Sequence, residues 1–247
     1  MMEVKRIHRI EVSSTNTYLK ELLTAGVDLP ELTLVDADYQ TGGRGQQGNS
    51  WESECEKNLL FSLLCHPTFL PATNQFVLSQ AIAVAAQRTL SEYTDGITIK
   101  WPNDIYWNDQ KICGTLIECN LMGNCIKDCI IGTGINVNQM EFKSDAPNPV
   151  SLAQITGFTF NRQTILDSVV QQFKELYEEL KESGGEALKA DYMQHLYRRE
   201  GFYPFQEPNG ETFEAEIVDV EPMGHLVLRR RDGSLNKYEF KEIKYIL

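Results

Sequence analysis

Residues 100–118 read KWPNDIYWNDQKICGTLIE, and this stretch decides how the chain is folded. Pro102 lacks the backbone donor that a sheet ladder needs, so the strand predicted over 97–101 stops there. Ile105 to Trp107 and Ile112 to Cys119 read as two strands of a hairpin turning at Asn108 and Asp109. Pro102-Asn103-Asp104 is ordinary turn chemistry. The same Asn103 and Asp104 oxygens also suit magnesium, or a ribose and phosphate region. Lys111 opens the second hairpin strand, where a lysine is ordinarily a surface charge. Gly114, three residues on, lets a backbone or a ligand come close.

Working outward, NLLFSLLC at 58–65 is a nearly continuous apolar run of strand length, and 32–39 and 125–132 are further strands. Tyr18, Leu19, Leu22 and Leu23 give one apolar face to a helix over 15–25, with Gly26 at its stop. An alanine-rich helix covers 75–90. Ile165, Val169, Phe173, Leu176 and Leu180 recur at helical spacing until Gly184-Gly185, and another helix follows over 186–198. Strands mixed with helices make this an α/β (α+β) domain, 1–199. From Gly201 the texture changes to short strands over 213–220, 225–230 and 234–240, separated by Pro222-Met223-Gly224 and Asp232-Gly233. A small β-domain, 200–247, is the expectation.

The 247 residues carry a formal charge of −12, which disfavours general binding to nucleic acid. No apolar run approaches the roughly 18 residues of a membrane helix. The N-terminus lacks a signal-peptide core, so the expected location is cytoplasmic. Six cysteines show no C-x-x-C pair and read as reduced core residues.

Three other segments carry candidate chemistry. Gly43-Arg44-Gly45-Gln46-Gln47-Gly48 matches G-x-G-x-x-G, but a strand rather than a helix follows, so it is not a dinucleotide-binding turn. It is not a P-loop either, since no Lys-Ser or Lys-Thr ends it. What remains is a flexible loop whose amides and arginine can hold an anion, or a plain solvated loop. Ser14-Thr15-Asn16 caps the first helix and also offers uncharged donors and acceptors to a polar ring. Gly132-Thr133-Gly134-Ile135-Asn136-Val137-Asn138, after a strand, is either a β-bulge or turn or the contour of a nucleotide.

Each segment alone has an ordinary structural explanation. Their order, S-T-N, Q-T-G-G-R-G-x-x-G-x-x-W, K-W-P-N-D, K-I-C-G-T-L-I-E and G-T-G-I-N-V-N, resembles the catalytic domain of biotin–protein ligases, over roughly the whole chain. That resemblance implies a mixed central sheet like that of class II aminoacyl-tRNA synthetases, followed by an SH3-like C-terminal β-barrel. It implies that biotin and ATP form biotinyl-AMP, with Mg2+ assisting, and that biotin then passes to a lysine of a biotin carboxyl carrier protein. A homodimer is a further expectation, and nucleic acid and membrane are not expected partners.

Carried over residue by residue, Ser14, Thr15, Asn16 and Gln40 would hold the biotin head. Gly43, Arg44, Gly45 and Gln46 would hold its carboxylate and the adenylate. Lys111 would stabilise charge as the carboxylate attacks the α-phosphate, with Arg44 and Asp104 as its catalytic partners and Asp104 as a magnesium ligand. Trp51, Asn103 and Asn136 would contact ATP. Two features depart from the family. The first motif comes too early for an N-terminal helix-turn-helix, so a ligase that is not a repressor is expected. Gln46 and Asn49 stand where the family loop often has arginines. The competing readings are a lipoate–protein ligase and a non-catalytic biotin- or nucleotide-binding regulator.

Overall fold

The computed structural model describes residues 3–144 and 147–246, apart from the side chain of Gln47. Among these residues the chain begins with β1 (Lys5–Val12), α1 (Thr15–Thr24), β2 (Thr33–Gln40) and β3 (Leu59–Cys65). There follow α2 (Phe76–Ser91), β4 (Ile97–Lys100), β5 (Asp104–Trp107), β6 (Gln110–Met122) and β7 (Cys125–Ile135). Next come the helices α3 (Leu152–Thr156), α4 (Arg162–Ser183) and α5 (Glu186–Gln194). The last five strands are β8 (Tyr203–Gln206), β9 (Thr212–Val220), β10 (Leu226–Arg230), β11 (Leu235–Tyr238) and β12 (Lys244–Tyr245).

The first seven strands form one mixed sheet in the order β1-β2-β3-β7-β6-β5-β4. Only β1 and β2 pair in parallel, across the helical crossover α1, and every other neighbour is antiparallel. Residue alternation sends neighbouring side chains to opposite faces. Leu34, Leu63 and Ile131 join the large core with α2 and α4, while Val35, Leu64 and Ile130 join a small one with Leu19 and Leu29.

The last five strands form a second sheet, in the order β11-β10-β9-β8-β12. No ladder joins β11 to β12 among the described residues, so these strands form an open five-stranded sheet. Its buried side chains, Phe205, Ile217, Leu226 and Leu228, belong to the same core cluster as α2 and α4. The Trp101 indole donates across the junction to the Gly224 carbonyl at 2.8 Å.

Four readings of the sequence shift. β1 was hidden because it is an edge strand whose residues are almost all exposed, so it shows no apolar alternation. The last helix ends at Gln194 rather than 198, because residues 195–197 pair with Ile99 of β4 instead: Ile99 N–H donates to the His195 carbonyl, and Tyr197 N–H to that of Ile99. Gly132 to Ile135 lie within β7 and not in a turn after it. β8 and β12 are too short, and β8 too interrupted by Pro204, to give a periodic signal. All six cysteines are free thiols, and no helix among the described residues is long and apolar enough to cross a membrane.

Candidate active site

The α1 face of the seven-stranded sheet is only partly covered by α1, and a cavity of about 730 Å3 opens on the remainder. Register explains its floor. Lys100 of β4 lies opposite Asp104 of β5, which lies opposite Gly114 of β6, then Gly134 of β7 and Leu60 of β3. Residues paired across a ladder share a face, so this row points into the cavity. The next row on that face is Leu116, Gly132 and Ser62.

The glycines are required by close approach. A Cβ on Gly132 would fall 2.1 Å from the Asn16 Oδ1, and one on Gly134 would fall 2.3 Å from the Trp51 ring. The indole of Trp51 therefore lies against the glycine floor, with Lys111 Nζ 5.7 Å from its ring centroid. The buried Trp51 Nε1 finds no hydrogen-bond partner among the described residues.

At one end of the cavity, the start of α1 presents a polar network. Ser14, Thr15 and Asn16 are all buried. Gln40 Oε1 accepts from the Thr15 amide at 2.8 Å and from its hydroxyl at 3.1 Å. Ser62 donates to Thr15 Oγ1 or Asn16 Oδ1, 2.7 and 2.6 Å away. Asn16 Nδ2 donates to Glu118 Oε2 at 2.9 Å, and Arg44 Nη2 reaches that same oxygen at 3.1 Å. Ser14 occupies the cap position of α1, yet its side chain makes no capping bond. The capping explanation for this hydroxyl therefore lapses, and it is left facing the cavity.

The glycine loop closes over this end. Gly42 N–H donates to the Ser13 carbonyl, Gly45 N–H to that of Asn49, and Trp51 N–H to that of Gly43. Gln46 begins a short 3-10 turn ending at Gly48. Arg44, Gly45 and Gln46 line the cavity. Gly43 does not; its Cβ would meet the Trp51 carbonyl at 2.4 Å, so its role is to let the two sides of the loop pack.

The other end is cationic. Lys111 Nζ sits 2.7 Å from Asp104 Oδ1. Lys100 Nζ donates to the Tyr106 hydroxyl at 2.8 Å. Burial pushes the Lys100 ammonium down to about 8; Asp104 partly offsets this, and Lys111 and Arg198 add to it. Lys241 and Lys244 reach the rim from the C-terminal segment. Five lysine and arginine side chains thus surround the cavity against one lining carboxylate, Asp104, in a chain of net charge −12. Asn103 holds the turn by donating to the Thr115 carbonyl.

Asn136 is off the cavity wall. It is buried behind it, where Nδ2 donates to the Val150 carbonyl at 3.1 Å. Residues 148–150 in turn pair with the backbone of Lys111, so Asn136 anchors the strand that carries that lysine. Nor does the donor set fit a resident magnesium. Asp104 is engaged by Lys111, and no group of three or more acidic, histidine or cysteine side chains converges among the described residues. The sequence reading missed Lys100, Ser62, Glu118 and Tyr245. Lys100 and Glu118 lie inside motifs already singled out. Ser62 is a lone hydroxyl in an apolar run, and nothing local marks Tyr245.

The fold and site define an α/β protein whose cavity has hydroxyl and amide groups at one end and lysine side chains at the other. The Biotin/lipoate A/B protein ligase family profile matches residues 9–136. The bifunctional ligase/repressor BirA of Bacillus subtilis is 31% identical, over 92% of this chain and 70% of its own length. The biotin–[acetyl-CoA-carboxylase] ligase of Mycobacterium tuberculosis is 23% identical, over 88% of this chain and 80% of its own. A solved structure, the biotin protein ligase from Aquifex aeolicus in complex with biotin and ATP, has a TM-score of 0.80 at 26% identity. It covers 98% of this chain and 99% of that one. The chain belongs to the biotin/lipoate A/B protein ligase family.

Proposed function

We propose that this protein is a biotin–protein ligase, which activates biotin with ATP and transfers it to a lysine of a biotin carboxyl carrier protein. The observation that carries this reading is the cavity itself: a network of hydroxyl and amide groups at one end, backed by the Arg44–Glu118 pair, a glycine floor, and a cationic end. The urea of biotin has two N–H donors and one carbonyl. Ser14, Thr15, Asn16 and Gln40 match it with hydroxyl and amide groups, without placing a charge against a neutral ring. The bicyclic ring and its chain lie along the glycine floor beside Trp51, which leads the carboxylate towards Lys111.

In the first step a biotin carboxylate oxygen attacks the α-phosphorus of ATP. A P–O bond forms, the α–β bridge bond breaks, and pyrophosphate leaves with the bonding pair. Negative charge builds on the α-phosphate oxygens, and Lys111, already held by Asp104 and the indole face, stabilises it. Arg44 and Gln46 close the loop over the adenylate and limit its loss to water. In the second step the neutral amine of the carrier lysine attacks the acyl carbon, the C–O bond breaks with AMP leaving on the bonding pair, and the nitrogen gives up a proton to leave an amide. Asn103 shapes the turn beside the nucleotide, and the domain before residue 200 carries most of the cavity lining, with the C-terminal segment adding Lys241 and Lys244 at the rim.

The test is mass spectrometry of a biotin carboxyl carrier domain incubated with the enzyme, biotin and Mg-ATP. A gain of one biotin on one lysine is expected. Competition of biotin against lipoate in ATP–pyrophosphate exchange decides the acid, and preference for lipoate would overturn the assignment. Absence of pyrophosphate release with either acid would favour a non-catalytic regulator.

A further inference from the structure

Three cysteines stand in one row across three neighbouring strands. Cys129 of β7 lies opposite Cys65 of β3 on one side and opposite Cys119 of β6 on the other. Register partners share a face, and this row packs into the core with α2 and α4, away from the ligand cavity. Cys65 and Cys129 are buried. Cys119 is half-buried, and a second cavity of about 550 Å3, between α2 and the turn joining β9 to β10, reaches it. A small solute therefore meets the row first at Cys119.

The Sγ atoms of Cys119 and Cys129 are 3.1 Å apart. Opposed residues of an antiparallel ladder have Cα atoms about 4.5–5.5 Å apart, inside the range of about 4.4–6.8 Å that a disulfide spans. Bonding needs the sulfurs to approach by about 1 Å, to the ~2.0 Å of an S–S bond. The register shift between Asn120 and Leu121, beside Cys119, gives β6 local slack for that movement. The two thiols also differ in character. A hydrogen bond from Cys129 holds the Cys119 thiol below its usual range, while the same contact and burial push Cys129 up. The accessible sulfur is thus the better nucleophile, and the buried one is placed to resolve it.

Glu118 connects this row to the site. It is the residue before Cys119, and alternation sends its side chain to the cavity face. There it accepts from Asn16 Nδ2 at 2.9 Å and from Arg44 Nη2 at 3.1 Å. Asn16 is packed so closely on Gly132 that no Cβ would fit between them. A shift of β6 at Cys119 is therefore passed to the contact between Glu118 and Asn16.

We propose that Cys119 and Cys129 are a reversible thiol–disulfide pair, oxidised by hydroperoxides and reduced by thiols, and that closing the bond weakens biotin binding through Glu118. The second clause rests on the ligase reading; the first does not. The Cys119 thiolate attacks one oxygen of hydrogen peroxide, the O–O bond breaks, and the departing hydroxide takes up the thiol's proton as water. The Cys129 sulfur then attacks the sulfenic sulfur of Cys119, the S–O bond breaks, and hydroxide leaves with the Cys129 proton as a second water. Two thiols lose two electrons, and the peroxide gains them.

The test is peptide mapping by mass spectrometry of the full chain after hydrogen peroxide. Biotin affinity is measured before, after, and again after dithiothreitol. A linked Cys119–Cys129 peptide is expected. The Kd for biotin should rise about fivefold, the scale of one ordinary hydrogen bond, and return on reduction. By reciprocity, saturating biotin should shift the equilibrium in a glutathione redox buffer towards the thiols by the same factor. Cys119→Ser should bind biotin like the reduced wild type and ignore peroxide, whatever happens at the exposed Cys55. Absence of the linked peptide overturns the proposal, and so does an unchanged biotin Kd in a fully linked sample. An equal peroxide effect in Cys119→Ser overturns it too. If Cys119→Ser fails to fold, the wild type decides: a loss of affinity that dithiothreitol does not reverse overturns the proposal. Reduced wild-type enzyme that binds no biotin would overturn the ligase reading itself, a result distinct from equal affinity in the two redox states.

Discussion

The two faces of the seven-stranded sheet are built from the same strands and do opposite things. Towards α2 and α4, β3 and β7 present Phe61, Leu63, Cys129 and Ile131, which are all buried in the large core. Towards the cavity the same strands present Ser62, Gly132 and Gly134. The period of two in a strand makes this division possible: every second residue can be spent on packing while its neighbours shape a site. The apolar face tolerates exchange of one hydrocarbon for another of like volume. The cavity face has no such latitude, because Asn16 and Trp51 occupy the space where side chains at 132 and 134 would stand.

The largest expected effect is on the packed face. Leu63→Ala removes a fully buried side chain and should cost about 2–5 kcal/mol of stability. Ligation per folded molecule should be unchanged; chemical denaturation together with a carrier assay checks both. A loss of activity without a loss of stability would mean that the two faces are not independent.

Lys111→Ala should do the reverse. It should remove about 2–4 kcal/mol of transition-state stabilisation, the scale of one preorganised electrostatic donor. Melting should fall by less than in Leu63→Ala, since Lys111 is partly exposed and what it gives up is its contact with Trp51 and Gly114 and its 2.7 Å pair with Asp104. Pyrophosphate release at near wild-type rate from the well-folded variant would remove Lys111 from the chemistry.

Gly134→Ala sharpens the comparison with a single carbon. Its Cβ would collide with the indole of Trp51, so the ring must lift or the strand must bend, at about 1–3 kcal/mol. Tryptophan fluorescence should change, and biotin binding should weaken more than global stability. A variant that binds biotin normally would show that Trp51 moves freely and that the glycine floor is not a constraint.

The smallest effect concerns the loop over the cavity. Gln46 is neutral, and its buried Oε1 has no partner among the described residues. Gln46→Arg should hold the anionic adenylate about 1–2 kcal/mol more tightly. Residence of biotinyl-AMP should lengthen and stray biotinylation of bystander lysines should fall. An unchanged residence time would mean that Arg44 or Lys111 already supplies the charge.

Much of this was legible locally. The apolar run at 58–65 and the hairpin about Asn108 follow from residue patterns that each act over a few neighbours, and β3, β5 and β6 appear where those patterns place them. The cavity wall carries all but two of the residues read from the motifs. Gly43 and Asn136 are the exceptions, because each meets the site only through backbone it holds in place. β1 was illegible because an exposed edge strand with charged residues on both faces carries no alternation.

By itself the sequence determined the strand at 58–65, the position of the glycines in their motifs, and the polar triad at the start of α1. These depend on local stereochemistry and on the spacing of motifs. Only the tertiary structure decided that Lys100, Asp104, Gly114 and Gly134 form one row, that Asn136 stands behind the wall, and that Tyr245 reaches Lys100 from the second sheet. Strand register is set by pairing between distant segments and by the packing of the whole core, so no short window of residues contains it.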